Sequence, residues 1–376
     1  MGCQKPLDFI LLGPCYPYRG GIADTQLELA NALKLLGYNV EVWTFTHLYP
    51  TILFPGKTQY TAEENTSSVA IKRTLHAYHP FHWKKIAREI NKKKPRAVVF
   101  RYWTPFLAPC WNTIAKSIES PVQKVGLVDN WVAHERRPWD RFLTQRFNKH
   151  MQLLTCLSYA VRDEIKQQSS KAVWGKPHPI AETLPQKMDR HQARKKLGLP
   201  TKKNYLLFFG LIRSYKGLDL ALEAIKAHPD KNLLIVGECY ENEEKYRRLI
   251  KILAIEKQVH FDNHYVSKDK AALYFSAADA LILPYKSASQ SGVIAMAYHF
   301  EKPLLVTNHK GLMATIESDK TGVVVQPNTA AIAQGITTLF DGENLLEFQN
   351  NLNQSKNNYS WTTYAKEWSN FIFNAS

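Results

Sequence analysis

What most limits the fold of this chain is an alternation, run through twice, of short apolar stretches, glycine-bearing turns and amphipathic stretches. "LDFILLG" (7–13) has the pattern of a short buried strand, "PCYPYRGGIAD" (14–24) is a turn, and "TQLELANALKLLG" (25–37) is an amphipathic helix closed by Gly37. "YNVEVWTF" (38–45), "RAVVFRYW" (96–103) and "QKVGLVDN" (123–130) are further strands with helical stretches between them. Strand, turn, helix and strand in this order predict a doubly wound parallel sheet.

The pattern restarts near Asn204. "YLLFFGLI" (205–212), "NLLIVGE" (232–238), "QVHFDN" (258–263), "DALILPY" (279–285) and "KPLLVTN" (302–308) are strand-like, with helical segments such as "GLDLALEAIKAH" (217–228) between them. A chain of 376 residues exceeds one ordinary core. The proline-rich, polar stretch 173–191 suits a linker. The expected organisation is a Rossmann-like α/β domain over 1–182 and a second over 183–356, with a C-terminal helix in 357–376 packing back on the first. No internal repeat with a period of about 20–50 residues is visible. Two such domains facing each other across a cleft is the architecture expected.

Composition narrows the partners. Hydrophobic content of 45% and charged content of 22% describe a globular chain. A formal net charge of +16 favours anionic partners, unless it is only a basic solvated surface. No recognition helix, RNA-binding motif or basic patch interleaved with aromatics stands out, so nucleic acid is not expected. Cys3, Cys15, Cys110, Cys156 and Cys239 show neither paired nor zinc-ligand spacing. The first apolar run is too short for a signal peptide, and no stretch approaches the ~20 apolar residues of a membrane span. Met-Gly-Cys at the start hints at lipidation, but Pro6 stands where a myristoylation signal wants Ser or Thr. A cytoplasmic location is expected.

In open α/β sheets ligands sit beyond the carboxyl ends of the strands, and three segments fall there. In "YRGGIAD", Gly20 and Gly21 expose backbone amides at a helix start. "FFGLIRSYKGLDL" puts Arg213 and Lys216 between a strand and a helix. "YKSASQSGV" leads Ser289, Gln290 and Ser291 through Gly292 into another helix, and its stretch 287–291 holds no acid, cysteine or histidine. Singly, these are a tight turn, solvated charges and helix caps. Together they make a diphosphate cradle, because helix dipole, free amides and fixed cations all favour an anion.

On these motifs the chain resembles glycosyltransferase family 4, of GT-B architecture. "GPCYPYRGGIADTQLELANALKLLGYNVEVWTF" resembles the family's N-terminal Gly-Gly-Ile loop, helix and strand, and "ARKKLGLP" (193–200) the opening of its C-terminal domain. "FGLIRSYKGLDLALEAI" is similar to its Gly-Arg-x4-Lys-Gly phosphate-binding segment, and "KPLLVTNHKGL" with "TGVVV" (321–325) to its closing strand pair. The resemblance implies a retaining, metal-independent transfer of sugar from a nucleotide-diphosphate sugar to a glycan or lipid-linked acceptor in bacterial surface-polysaccharide or glycolipid assembly. It implies no other cofactor, and no Asp-x-Asp metal motif follows a strand. It also implies roles. Arg213 and Lys216 would neutralise the leaving diphosphate, while Gly20, Gly21, Ile22, Gly210, Ser289, Gln290, Ser291, Gly292 and Val293 would line the donor site. Such chemistry chiefly needs stabilised negative charge, which a loop of N–H and O–H donors supplies.

The chain departs from the family at its Glu-x7-Glu motif. Ser289 or Gln290 stands at the first acid, no acid appears before Glu301, and the spacing from Gly292 to Pro303 is one residue short. This resembles a bacterial subgroup with serine and glutamine in the loop, and no ribose-binding residue is assigned. Where the family often has His-Asn or His-Asp, "VDNWVAHERRPWD" (128–140) has Asp129-Asn130, with His134 and Glu135 following. Asp129 or His134 is expected to contact donor sugar or acceptor, unless His134 is an ordinary loop histidine. Arg101 and Glu135 are expected on the acceptor side, and Trp103 in the core. In 136–154, Trp139, Phe142, Leu143, Phe147, Met151 and Leu154 recur at helical spacing with Arg141, Arg146 and Lys149. This helix either packs on the sheet or rests on the inner face of an anionic membrane. Alternative readings are sugar-nucleotide epimerisation, which the Lys-Gly segment disfavours, and a degenerate member that binds a sugar nucleotide without turnover.

Overall fold

The structure is a computed structural model and describes residues 6–49, 58–61, 64, 67–132 and 137–374. It divides into two compact units, residues 1–179 with 360–376, and residues 180–359.

The first unit is built on a seven-stranded sheet of β1 (Phe9–Leu12), β2 (Val40–His47), β3 (Ala70–His76), β4 (Ala97–Tyr102), β5 (Gln123–Val128), β6 (Leu153–Cys156) and β7 (Ala172–Gly175). The order is β3-β2-β1-β4-β5-β6-β7, and all pairings are parallel. β1 is central, Phe9 pairing with Val40 on one side and Ala97 on the other, so its apolar run is buried on both faces. Helices Pro80–Lys93, Ala108–Ser117 and Asp140–Lys149 pack one face through Trp83, Ile86, Trp111 and Phe147. Helices Gly21–Leu35 and Trp361–Asn374 pack the other through Leu29, Leu33, Trp361 and Trp368.

The second unit repeats the design with β8 (Asn204–Phe209), β9 (Lys231–Val236), β10 (Val259–Asp262), β11 (Ala280–Leu283), β12 (Leu304–Thr307) and β13 (Gly322–Val325). Its six-stranded order is β10-β9-β8-β11-β12-β13, again parallel throughout. Both sheets are thus Rossmann-like, and in each the strand order reverses beside the first strand, between β1 and β4 and between β8 and β11.

The stretch 136–154 is not one helix. The helix ends at Lys149, and Leu154 lies in β6. Phe147, Met151 and Leu154 are core residues, whereas Trp139 and Phe142 are exposed. Helical spacing had spanned a helix and the strand after it. β3, β6 and β7 were not anticipated. Cys15, Cys110, Cys156 and Cys239 are free thiols. No helix among the described residues is long and apolar enough to cross a membrane.

Candidate functional site

Two strand-order reversals create two crevices, and the candidate residues fall beside both. In the second unit, β8 runs into Gly210 and then into a single 3-10 turn, Ser214–Lys216, that opens the helix Leu218–Ile225. Gly217 is required at the joint, because its φ is +68° and a Cβ there would lie 2.0 Å from the Pro284 carbonyl oxygen. That contact draws the loop after β11 against the turn. The Lys286 amide donates to the Tyr215 carbonyl at 2.7 Å, and the Lys286 ammonium pairs with Asp219 at 2.5 Å. Glu241 accepts a hydrogen bond from the Ser214 amide.

Lys216 is the unusual group. Its side chain is buried, with the residue only 9% exposed, and its Nζ has no hydrogen-bond or carboxylate partner among the described residues. The ammonium lies 5.3 Å from the Tyr285 ring centroid, and a Cβ on Gly210 would come within 3.1 Å of it. Burial pushes the Lys216 pKa below the ordinary lysine value; Tyr215 opposes this, and the Arg213 guanidinium adds to it. Arg213 is half-buried with its guanidinium 5.2 Å from the Tyr240 ring centroid. Two cations thus adjoin a helix start.

The loop from Pro284 to Ser291 is held from beneath. Thr307 Oγ1 donates to the Tyr285 carbonyl at 2.7 Å, and a His309 ring nitrogen lies 2.9 Å from the same oxygen. A Cβ on Gly311 would sit 2.2 Å from the Ser289 carbonyl carbon, so glycine lets the next helix press against the loop backbone. Ser289 is buried, Gln290 Oε1 is buried without a hydrogen-bond partner among the described residues, and Ser291 Oγ lies 3.4 Å from the Tyr285 hydroxyl. Burial pushes the Tyr285 phenol up to about 12, so it stays a neutral donor. Ser291 stands at the N-cap of Gly292–His299 but makes no side-chain cap bond, and Val293 is buried in its first turn. Glu301 lies at the far end of that helix, paired with Lys187 and Lys356, both at 2.7 Å. The structure therefore brings Arg213, Lys216, Gly210 and the 289–293 loop together around one crevice. Tyr285, Tyr240, Gly217 and Gly311 complete it; the last two stand in plain Lys-Gly dipeptides, whereas the tyrosines gave no local signal.

In the first unit, Gly20 caps the helix Gly21–Leu35 with φ +106° and no side-chain bond, and Gly21 is exposed with open space where a Cβ would point. Ile22 follows, half-buried. Arg101, at the end of β4, is 1% exposed and donates through Nε and Nη2 to the two carboxylate oxygens of Asp129, at 2.6 and 2.5 Å. Nη2 also donates to Thr25 Oγ1 at 2.9 Å, and Thr25 donates to the Gly21 carbonyl at 2.8 Å. Arg101 and Asp129 form a buried pair that ties the glycine turn to two strand ends. Arg101 Nη1 and both amide atoms of Gln26 are buried without partners among the described residues. Trp103 is half-buried and donates to the Tyr49 hydroxyl at 2.9 Å. His134 and Glu135 lie outside the described residues.

Two parallel Rossmann-like domains define a GT-B fold, and comparison with known structures agrees. The sucrose-phosphate synthase of Thermosynechococcus elongatus superposes with a TM-score of 0.80 at 17% identity, covering 98% of this chain and 100% of that one. Within the chain, residues 189–359 match the family model described as "Glycosyl transferases group 1". The D-inositol 3-phosphate glycosyltransferase of Corynebacterium glutamicum is 26% identical over 196 residues, 49% of this chain and 46% of that protein. The GDP-mannose:glycolipid 4-beta-D-mannosyltransferase of Xanthomonas campestris pv. campestris is 32% identical over 103 residues, 27% of this chain and 29% of that protein. The chain thus spans about half the length of the first of these relatives, or less.

Proposed function

We propose that this protein transfers a sugar, with retention of anomeric configuration, from a nucleotide-diphosphate sugar to a glycan or lipid-linked acceptor. Lys216 carries the reading: a buried ammonium without a carboxylate partner, beside Arg213 and a helix start, is a site prepared for a compact anion. As the glycosidic bond to the donor's β-phosphate breaks, negative charge grows on the leaving diphosphate and positive charge on the sugar. Lys216, Arg213 and the amides opening Leu218–Ile225 and Gly292–His299 stabilise the diphosphate, which is electrostatic work in a preorganised site. Ser289, Ser291 and Gln290 offer hydroxyl and amide groups to the rest of the donor. The group 1 match over the second unit and the sugar-transfer activities in the relatives' names support the reading. With the diphosphate charge met by protein cations, no divalent metal is required.

The test is a donor screen. Purified protein is mixed with UDP-, GDP-, ADP- and dTDP-sugars in EDTA, and nucleoside diphosphate release is measured. One donor is expected to turn over, with Arg213→Ala and Lys216→Ala each lowering release by about 10²-fold or more. Release that survives both substitutions contradicts the assignment. Because Asp129 is engaged by Arg101 and the loop holds no acid, a second reading stands beside the first, a GT-B protein that binds a sugar nucleotide without turnover. Tight donor binding without release in the presence of candidate acceptors supports it.

A further inference from the structure

We infer that the carboxyl edge of the first unit's sheet carries a proton-operated latch, in which four histidines clip the start of the helix Pro80–Lys93 to the end strand β3 while neutral and loosen it when protonated. The inference stands apart from the transferase reading. His47 and His76 close the neighbouring strands β2 and β3 and are partners across the pairing. Their rings stack with 4.6 Å between centroids. His79 follows at the N-cap of the helix, its ring 5.4 Å from that of His76, and His82 stands in the first turn with its ring 6.5 Å from that of His79. His82 Nε2 donates to the Thr74 carbonyl at 2.6 Å, and the Trp83 indole donates to the His76 carbonyl at 2.7 Å. These two bonds fasten the helix start to β3, which lies at one end of the strand order.

Protons work against this arrangement. Among the described residues none of the four rings has a carboxylate partner, and His76 Nδ1 is buried without a hydrogen bond. Burial, and then the neighbouring rings of His47, His79 and His82, hold the His76 pKa below the ordinary histidine value. Imidazoliums at His79 and His82 would also add charge to the positive end of the helix, whose first turn has no acid. The other groups around the cluster do not reverse this. On β3, Lys72 pairs with Glu89 at 2.7 Å, and Arg73 Nε donates to the Phe45 carbonyl. Glu89, two turns beyond His82 on the same helix, is thus already matched by a cation, and Lys84, Lys85 and Arg88 between them are exposed. The adjoining helix Ala108–Ser117 carries no acid and one cation, Lys116 in its last turn. The Tyr78 ring lies edge-on to His76 at 4.6 Å. The His82 bond to Thr74 survives protonation, so loosening comes from repulsion within the cluster and at the helix start. The opened edge binds protons more readily than the closed one, so the latch is whole above about pH 6.5 and weakens as pH falls below it. Ligands of open α/β sheets sit at this edge, and the latch makes that edge of the first unit sensitive to acid.

The test is hydrogen–deuterium exchange of the full chain at about pH 7.5 and 5.5, read by mass spectrometry and corrected for the intrinsic effect of pH on exchange. Wild-type protection over residues 76–86 is expected to fall about tenfold at the lower pH, the effect of about one pKa unit, while protection over β8 and β9 stays constant. His47→Gln/His76→Gln/His79→Gln/His82→Gln should be protected equally at both pH values, since glutamine at position 82 can still donate to Thr74. Should that variant fail to fold, His47→Gln/His79→Gln alters only the two exposed rings and should cut the loss to about threefold or less. His178→Gln, at a histidine outside the cluster, should keep the whole local loss. Unchanged wild-type protection overturns the inference, and so does a tenfold loss that persists in the cluster variants. A loss spread evenly over both units also overturns it, because acid would then be unfolding the whole chain.

Discussion

An ammonium held away from water without a counter-charge costs the fold stability, and only a bound anion repays it. Lys216→Met keeps the length of the side chain and removes the charge. This variant should be more stable than wild type by about 1 kcal/mol in urea titrations, while losing affinity for the donor; a destabilised variant would mean that Lys216 has a structural partner. His178 shows the same physics in a titrating group. Burial against Trp361 lowers its pKa to about 4. The folded state therefore holds this ring neutral while the unfolded chain binds a proton. Its contribution is whole above the unfolded pKa of about 6.5 and is lost as pH falls towards 4. His178→Gln should flatten that decline between pH 6.5 and 4, and an unchanged slope would remove His178 as its cause. Arg213 and Lys216 were legible because they follow a strand at short range. The Arg101–Asp129 pair was not, because the two residues are 28 positions apart and meet only through the pairing of β4 with β5.

Elements were legible where both faces of a strand are buried, as in β1, β8 and β11, whose apolar runs are unbroken. β3 reads Ala-Ile-Lys-Arg-Thr-Leu-His, an edge strand largely open to solvent, and carries no such run. β6 was hidden because its Leu154 continued the spacing of the preceding helix. Turns carry the site's geometry, and glycine sets what they tolerate. Gly217→Ala meets both a left-handed φ and the Pro284 carbonyl, and should cost about 2–3 kcal/mol of stability. Gly311→Ala has no such φ but must push back the Ser289 backbone. It should weaken donor binding about tenfold with a smaller change in melting temperature. Equal binding in Gly311→Ala and wild type would show that the loop's position is unimportant to the donor.

At the scale of the molecule, the chain leaves the first unit after Pro179 and returns to it at Ser360. The returning helix Trp361–Asn374 contributes Trp361, Trp368 and Ile372 to the core formed with Phe9, Leu29 and Leu33. Trp368→Ala should therefore destabilise the first unit by about 3–5 kcal/mol in urea unfolding followed by circular dichroism. Nucleoside diphosphate binding by the second unit should persist. The two-sheet plan was readable from the doubled alternation, whereas the placing of Arg101 and Asp129 within one buried network required the strand order itself.

Lys216, a buried cation, is proposed to await a diphosphate. Calorimetric titration of wild type and Lys216→Met with UDP, GDP, ADP and dTDP, and with the corresponding nucleosides, in EDTA, tests it most directly. One nucleoside diphosphate is expected to bind wild type, Lys216→Met to weaken it by about 10-fold to 100-fold, and the nucleoside to bind both proteins equally weakly. Equal affinity of wild type and variant for the diphosphate, or no diphosphate binding at all, would contradict it.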